Sequence, residues 1–126
     1  MLLTTGACGV TDPLSEDLVV SGKVTDVAGA GIAGATVSLW RESCLQGACS
    51  TRTRGEDVTD ANGEFRIVVI RDADERELWE LVCHEFALDF EAAGYGSIEG
   101  DYQGWRAAFC ASGEVSGLEF ALTPSG

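Results

Sequence analysis

Basic side chains are scarce in this chain. Eight of its 126 residues are Lys or Arg against 21 Asp or Glu, a formal net charge of −13 at pH 7, and Lys23 is the single lysine. Affinity for nucleic acid comes mainly from cations that neutralise phosphates, so no nucleic-acid partner is expected, and an anionic membrane surface is disfavoured on the same ground. Long apolar runs are also missing: no stretch approaches the ~20 residues that a membrane-crossing helix needs. There is one histidine, His84, and there are only two prolines. Disorder is not expected despite the charge. With 45% hydrophobic and 23% charged residues, one domain of this length buries roughly two-thirds of its unfolded surface.

Two features at the sequence level point to export. Met1-Leu2-Leu3-Thr4-Thr5-Gly6-Ala7-Cys8 reads as the tail of a secretion signal, a short apolar run ending in small residues. Gly6-Ala7-Cys8 also resembles the end of a bacterial lipobox, with Thr5 where Leu is usual, so lipidation of Cys8 is expected. Residues 1–8 are thus a residual signal, and the polar, Pro-containing residues 9–17 are a tether. Setting Cys8 aside leaves Cys44, Cys49, Cys83 and Cys110, an even set suited to an oxidising compartment. Three pairings are open. The favoured one is Cys44–Cys49, closing the small loop Leu45-Gln46-Gly47-Ala48, with Cys83–Cys110 joining two late segments. Structural zinc sites present tight C-x2-C knuckles; here the spacing is C-x4-C plus two isolated cysteines, so neither metal nor cofactor is expected.

From residue 18 the pattern becomes β-rich. Leu18–Thr25 and Ala35–Trp40 alternate small or apolar with polar residues, and a glycine-rich turn over 26–34 separates them. Thr59-Asp60-Ala61-Asn62-Gly63-Glu64 is a second turn, leading into Phe65–Ile70 with Phe65, Ile67 and Val69 inward. Arg71–Arg76 reads as a charged loop. Leu81–Ala92 reads as a strand with Phe86, Leu88 and Phe90 on one face, Asp101–Cys110 is less regular, and Gly117–Leu122 is a last strand. The expected fold is all-β: an antiparallel β-sandwich of about seven strands, prealbumin-like or Ig-like, spanning 18–124.

The residues Gly22-x-Val24-x-Asp26-x-x-Gly29-x-x-Ile32-x-Gly34-Ala35-x-Val37-x-Leu39, then Thr59-Asp60-x-x-Gly63-x-Phe65, then Ala93-Gly94-Tyr95 resemble the carboxypeptidase regulatory-like domain, a transthyretin-like sandwich of bacterial surface proteins. The cysteine loop over 42–55 and the insertion after Tyr95 depart from that pattern. The resemblance implies a module that is not an enzyme and that serves spacing, folding support or binding on a secreted or cell-surface protein.

A hydrolase would have to be built on His84, next to Cys83. As a strand residue His84 would face away from its neighbour, so no catalytic residue is assigned. Intradiol dioxygenases, a related sandwich, hold iron with two tyrosines and two histidines, and hydroxyisourate hydrolases use several histidines; one histidine excludes both by count. Asp60-x-Asn62-Gly63-Glu64 resembles part of a calcium loop, but a hairpin turn accounts for it better. The aromatic segment over 95–105, with Tyr95, Tyr102 and Trp105 as anchors, is the candidate face for a protein or carbohydrate partner at the cell envelope. Its competing reading is a flap stapled over the core by Cys83–Cys110. The chain is expected to be a monomer that meets a membrane only through its lipid.

Overall fold

The computed structural model describes residues 17–99 and 104–125. Among them run the strands β1 (Asp17–Thr25), β2 (Thr36–Leu45), β3 (Ala48–Val58), β4 (Glu64–Ile70), β5 (Phe86–Glu91), β6 (Tyr95–Glu99) and β7 (Glu114–Pro124). They form two sheets, in the orders β4-β1-β7-β6 and β3-β2-β5. Three short helices, α1 (Ala73–Glu77), α2 (Trp79–Val82) and α3 (Arg106–Ser112), accompany them, with a 3-10 turn at Cys83–Glu85. The chain is all-β in its mass.

Period-two patterning explains the core. In β4 Phe65, Ile67 and Val69 are buried while Glu64, Arg66, Val68 and Ile70 are exposed; β1 contributes Leu18, Val20 and Val24, and β2 contributes Val37 and Leu39. The two sheets meet through aromatic rings. Phe90 of β5 lies 6.4 Å from Phe65 of β4 and 4.6 Å from Phe120 of β7, centroid to centroid, pairs worth about 0.5–1.5 kcal/mol each beyond their burial. The turn before β4 is fixed from both sides. Asp60 Oδ1 accepts from the backbone N–H groups of Asn62 and Glu64, and Gly63 sits at φ 82°, where a Cβ would lie 2.4 Å from the Val24 carbonyl oxygen.

Four expectations are corrected. First, the sheets are not wholly antiparallel: β1 and β7 pair in parallel, from Val19 opposite Glu114 to Thr25 opposite Ala121. Among the described residues the first and last strands meet mid-sheet, a long-range pairing that local patterning does not encode. Second, residues 48–58 are the strand β3, closed onto β2 by Gln46 and Gly47, both at positive φ (52° and 84°), the geometry a two-residue hairpin requires. Third, the charged loop after Ile70 and the first part of the expected 81–92 strand are helical. Glu75 Oε1 accepts the Asp72 backbone N–H at 2.8 Å, half of a capping box that starts α1, and the strand begins only at Phe86. Fourth, the irregular segment leads into α3, with Trp105 at its N-cap and Phe109 four residues further on; both are buried.

Candidate functional site

The chemistry anticipated from sequence gathers at one corner. Cys83, fully buried on the 3-10 turn, is bonded to Cys110 on α3, with the Cα atoms 5.3 Å apart. Around this bridge the rings of Trp79, Phe86, Phe109 and Trp105 pack at centroid distances of 5.2–5.9 Å. The Trp79 indole N–H donates to the Cys110 carbonyl at 2.8 Å, and the Arg71 guanidinium carbon stands 4.4 Å from the Trp79 ring centre. Trp105 is only 4% exposed. Its expected place on an open binding loop is therefore corrected: the ring is buried in the core against Phe109. Tyr95 is half-buried and packs on the same core, while Tyr102 and Cys8 lie outside the described residues. The 95–105 segment thus does not present Trp105 and Tyr95 together as an aromatic face.

His84 is exposed, on a helical turn rather than on the strand expected for it, with Nδ1 3.7 Å from Cys110 Sγ. That sulfur is committed to the disulfide and offers no thiolate to activate. The second bridge, Cys44–Cys49, joins β2 to β3 at the exposed hairpin tip, Cα atoms 4.0 Å apart. With both bridges formed, the four sulfurs are not available as zinc thiolates. Asp60 spends its Oδ1 on backbone N–H groups, as an Asx turn does.

A charged cluster that sequence reasoning missed closes one end of the β3-β2-β5 sheet. Arg41, the next inward position after Val37 and Leu39, is 6% exposed and donates to Glu75 at 2.9 Å, Asp74 at 2.7 Å and Glu85 at 2.8 Å. Arg54 donates to both oxygens of Glu75, whose side chain is fully buried, at 2.7 and 3.0 Å. Arg52 pairs with Asp72 at the rim. Burial alone would raise the Glu75 carboxyl pKa, but hydrogen bonds from Arg54, the Asp72 backbone and Arg41 hold it below its ordinary value. The Arg41 bond lowers Asp74 likewise. Burial would lower Arg41, yet its three carboxylate partners raise it, and Glu75 raises Arg54. Both guanidiniums are engaged by carboxylates inside the chain, so the cluster docks α1 onto the sheet rather than awaiting a ligand. The Asp72, Asp74 and Glu75 carboxylates are close enough to share a cation, but these arginines already neutralise them. The available signals were the Asp72-x-x-Glu75 box and an arginine in register with inward apolar residues.

On the opposite face of that sheet lies a shallow depression of about 460 Å³ lined by Ser38, Trp40, Thr51, Arg52, Thr53 and Asp89. Trp40 is half-buried there. It lies opposite Thr53 on one side and Ala87 on the other, while Ser38 lies opposite Asp89 and Glu42 opposite Thr51.

No family model matches the chain, and no curated protein matches it. Among solved structures, catechol 1,2-dioxygenase from Pseudomonas arvilla C-1 is similar at 22% identity, over 91% of this chain and 54% of that one, with a TM-score of 0.48. Wild-type catechol 1,2 dioxygenase from Acinetobacter radioresistens is similar at 18% identity, over 89% and 53%, with a TM-score of 0.47. A 9R-lipoxygenase from Cyanothece PCC8801 is similar at 18% identity, over 60% and 11%, with a TM-score of 0.36. The chain spans about half the length of the dioxygenases. The expectation that the chain is not an enzyme is corrected by this finding: the solved structures it matches are enzymes.

Proposed function

We propose that the chain is an exported β-sandwich module of seven strands, of the carboxypeptidase regulatory-like kind, that serves the cell envelope as a binding or structural domain and is held at the membrane by lipid on Cys8. The observation that carries this reading is the pairing of Cys44 with Cys49 and of Cys83 with Cys110. Disulfides persist in oxidising compartments and are rare where glutathione and thioredoxin keep thiols reduced. The two-sheet arrangement and the turns at Gly34 and Gly63, both at positive φ, fall on residues that carry the family resemblance. Among the described residues no helix is long and apolar enough to cross a membrane, which is compatible with attachment through lipid.

The test is the intact mass of the protein recovered from its native host, before and after reduction and thiol labelling. The expected result is an added mass consistent with acylation at Cys8, with four further thiols labelled only after reduction. Five free thiols without lipid would overturn the compartment and the anchor together.

A further inference from the structure

Trp40 stands apart from the other two tryptophans. Trp79 and Trp105 are 5% and 4% exposed, whereas Trp40 stays half-buried on the outer face of the β3-β2-β5 sheet, with no aromatic partner among the described residues and a polar surround. Directly opposed side chains on a sheet stand about 4.5–5.5 Å apart and diagonal ones about 7–8 Å. Ala87 stands opposite Trp40 on β5 and is only 6% exposed. Thr53 stands opposite on β3, and Thr51, Ser38 and Asp89 occupy the surrounding register positions. Arg54 is the extra residue where the β2–β3 register shifts between Leu39 and Trp40. Its side chain turns to Glu75, and Thr51 and Thr53 remain around the depression. Bulges re-aim side chains in this way.

We propose that this face is a carbohydrate subsite that takes a neutral β-1,4-linked pyranose chain. The proposal rests on the reading of the chain as a binding module and gives that module its ligand class. A pyranose has an apolar C–H face and a rim of hydroxyls. The indole supplies the apolar platform, and Ser38, Thr51 and Thr53 hydroxyls with the Asp89 carboxylate supply short, mixed donors and acceptors around it. A β-1,4-linked chain is a flat ribbon, matching a platform carried on a sheet. Charge decides among sugars: Arg52, the cation in the lining, is paired with Asp72, while Asp89 lines the depression, Ser38 donates to Glu56 beside it, and the chain carries −13 overall, so uronic or sulfated sugars are disfavoured.

The experiment titrates cellohexaose and chitohexaose into the full, oxidised chain and follows acrylamide quenching of tryptophan fluorescence, to which half-buried Trp40 contributes most. Saturable protection by one of the two sugars is expected. Trp40→Ala should remove it, Trp40→Phe should retain part of it, and Asp89→Ala should weaken it about tenfold, the loss of one hydrogen bond to a charged group. Circular dichroism of each variant checks that the fold survives, as expected for positions on the outer face. Protection by neither sugar overturns the proposal, as does saturation by a polylysine peptide alone, which would mark a cation site. Unchanged affinity in Trp40→Ala overturns this subsite while leaving a sugar-binding module in place. None of these results bears on the mass and thiol test, which alone judges export and anchoring.

Discussion

Replacing Glu75 by Gln removes one buried charge while keeping the side chain's shape. In the native chain its Oε1 accepts from Arg54 Nη2 at 2.7 Å and from the Asp72 backbone N–H at 2.8 Å, and its Oε2 accepts from Arg41 Nη1 at 2.9 Å and Arg54 Nε at 3.0 Å. An amide keeps one oxygen and turns the other acceptor into a donor facing N–H groups, so half of these bonds become repulsive contacts. Breaking a buried ion pair by removing one partner costs about 3–5 kcal/mol. Arg41 keeps Asp74 and Glu85, which places the expected loss near the lower end, about 3 kcal/mol or on the order of 10 °C in Tm for a domain of this size. Urea unfolding followed by tryptophan fluorescence measures it. The internal control is Arg52→Ala, which breaks only the rim pair with Asp72, 58% and 38% exposed, expected to cost below about 1 kcal/mol. A Glu75→Gln loss no larger than that of Arg52→Ala would refute the reasoning, because it would mean that the cluster does not dock α1.

The same cluster sets an acid limit. Folding lowers the pKa of Glu75 and Asp74 from ordinary values of 4.5 and 3.8, so their contribution is present above those values and is lost as pH falls through the lowered ones. The urea midpoint should decline below pH 4.5, and Glu75→Gln should flatten that decline; an equally steep decline in the variant would contradict the assignment. The two disulfides should differ in weight. Closing a loop across 27 positions (Cys83–Cys110) contributes about 3.5 kcal/mol on the chain-entropy account, and across 5 (Cys44–Cys49) about 2. Paired Cys→Ala variants compared by urea unfolding check the order, and a larger loss at the hairpin tip would reverse it.

Much of the strand layout was legible because period-two burial is a local signal: β1, β2, β4 and the later part of β5 can be read from alternating Val, Ile, Leu and Phe. The Asp60–Gly63 turn was legible because its residues bond their own backbone. β3 was not, because Ser50 through Arg54 are polar and lie on an outer strand with one neighbour, so neither face carries a hydrophobic stripe. The helical stretch over 73–85 was hidden because 71–76 read as a charged loop and the alternation of Phe86, Leu88 and Phe90 was extended back to Leu81, although the Asp72-x-x-Glu75 pair announced a helix start. Trp105 misled for a different reason. Gly96, Gly100 and Gly104 before it suggested an open loop, whereas its spacing to Phe109 brings the two rings together, and Phe109 in turn packs on Trp79 and Phe86. The charged cluster depends on Arg41, Arg54, Glu75 and Glu85 converging from distant segments, which no single window of sequence displays.

The parallel neighbours β1 and β7 also fix how the fold bears load. β1 starts at the end of its sheet where β7 also starts, and β7 finishes at the other end, on the order of 30–40 Å away along the strand axis. Tension applied before Asp17 and after Pro124 therefore drags the two central strands lengthwise past each other. The hydrogen bonds between them are then stressed together, in shear, instead of opening one after another like a zip.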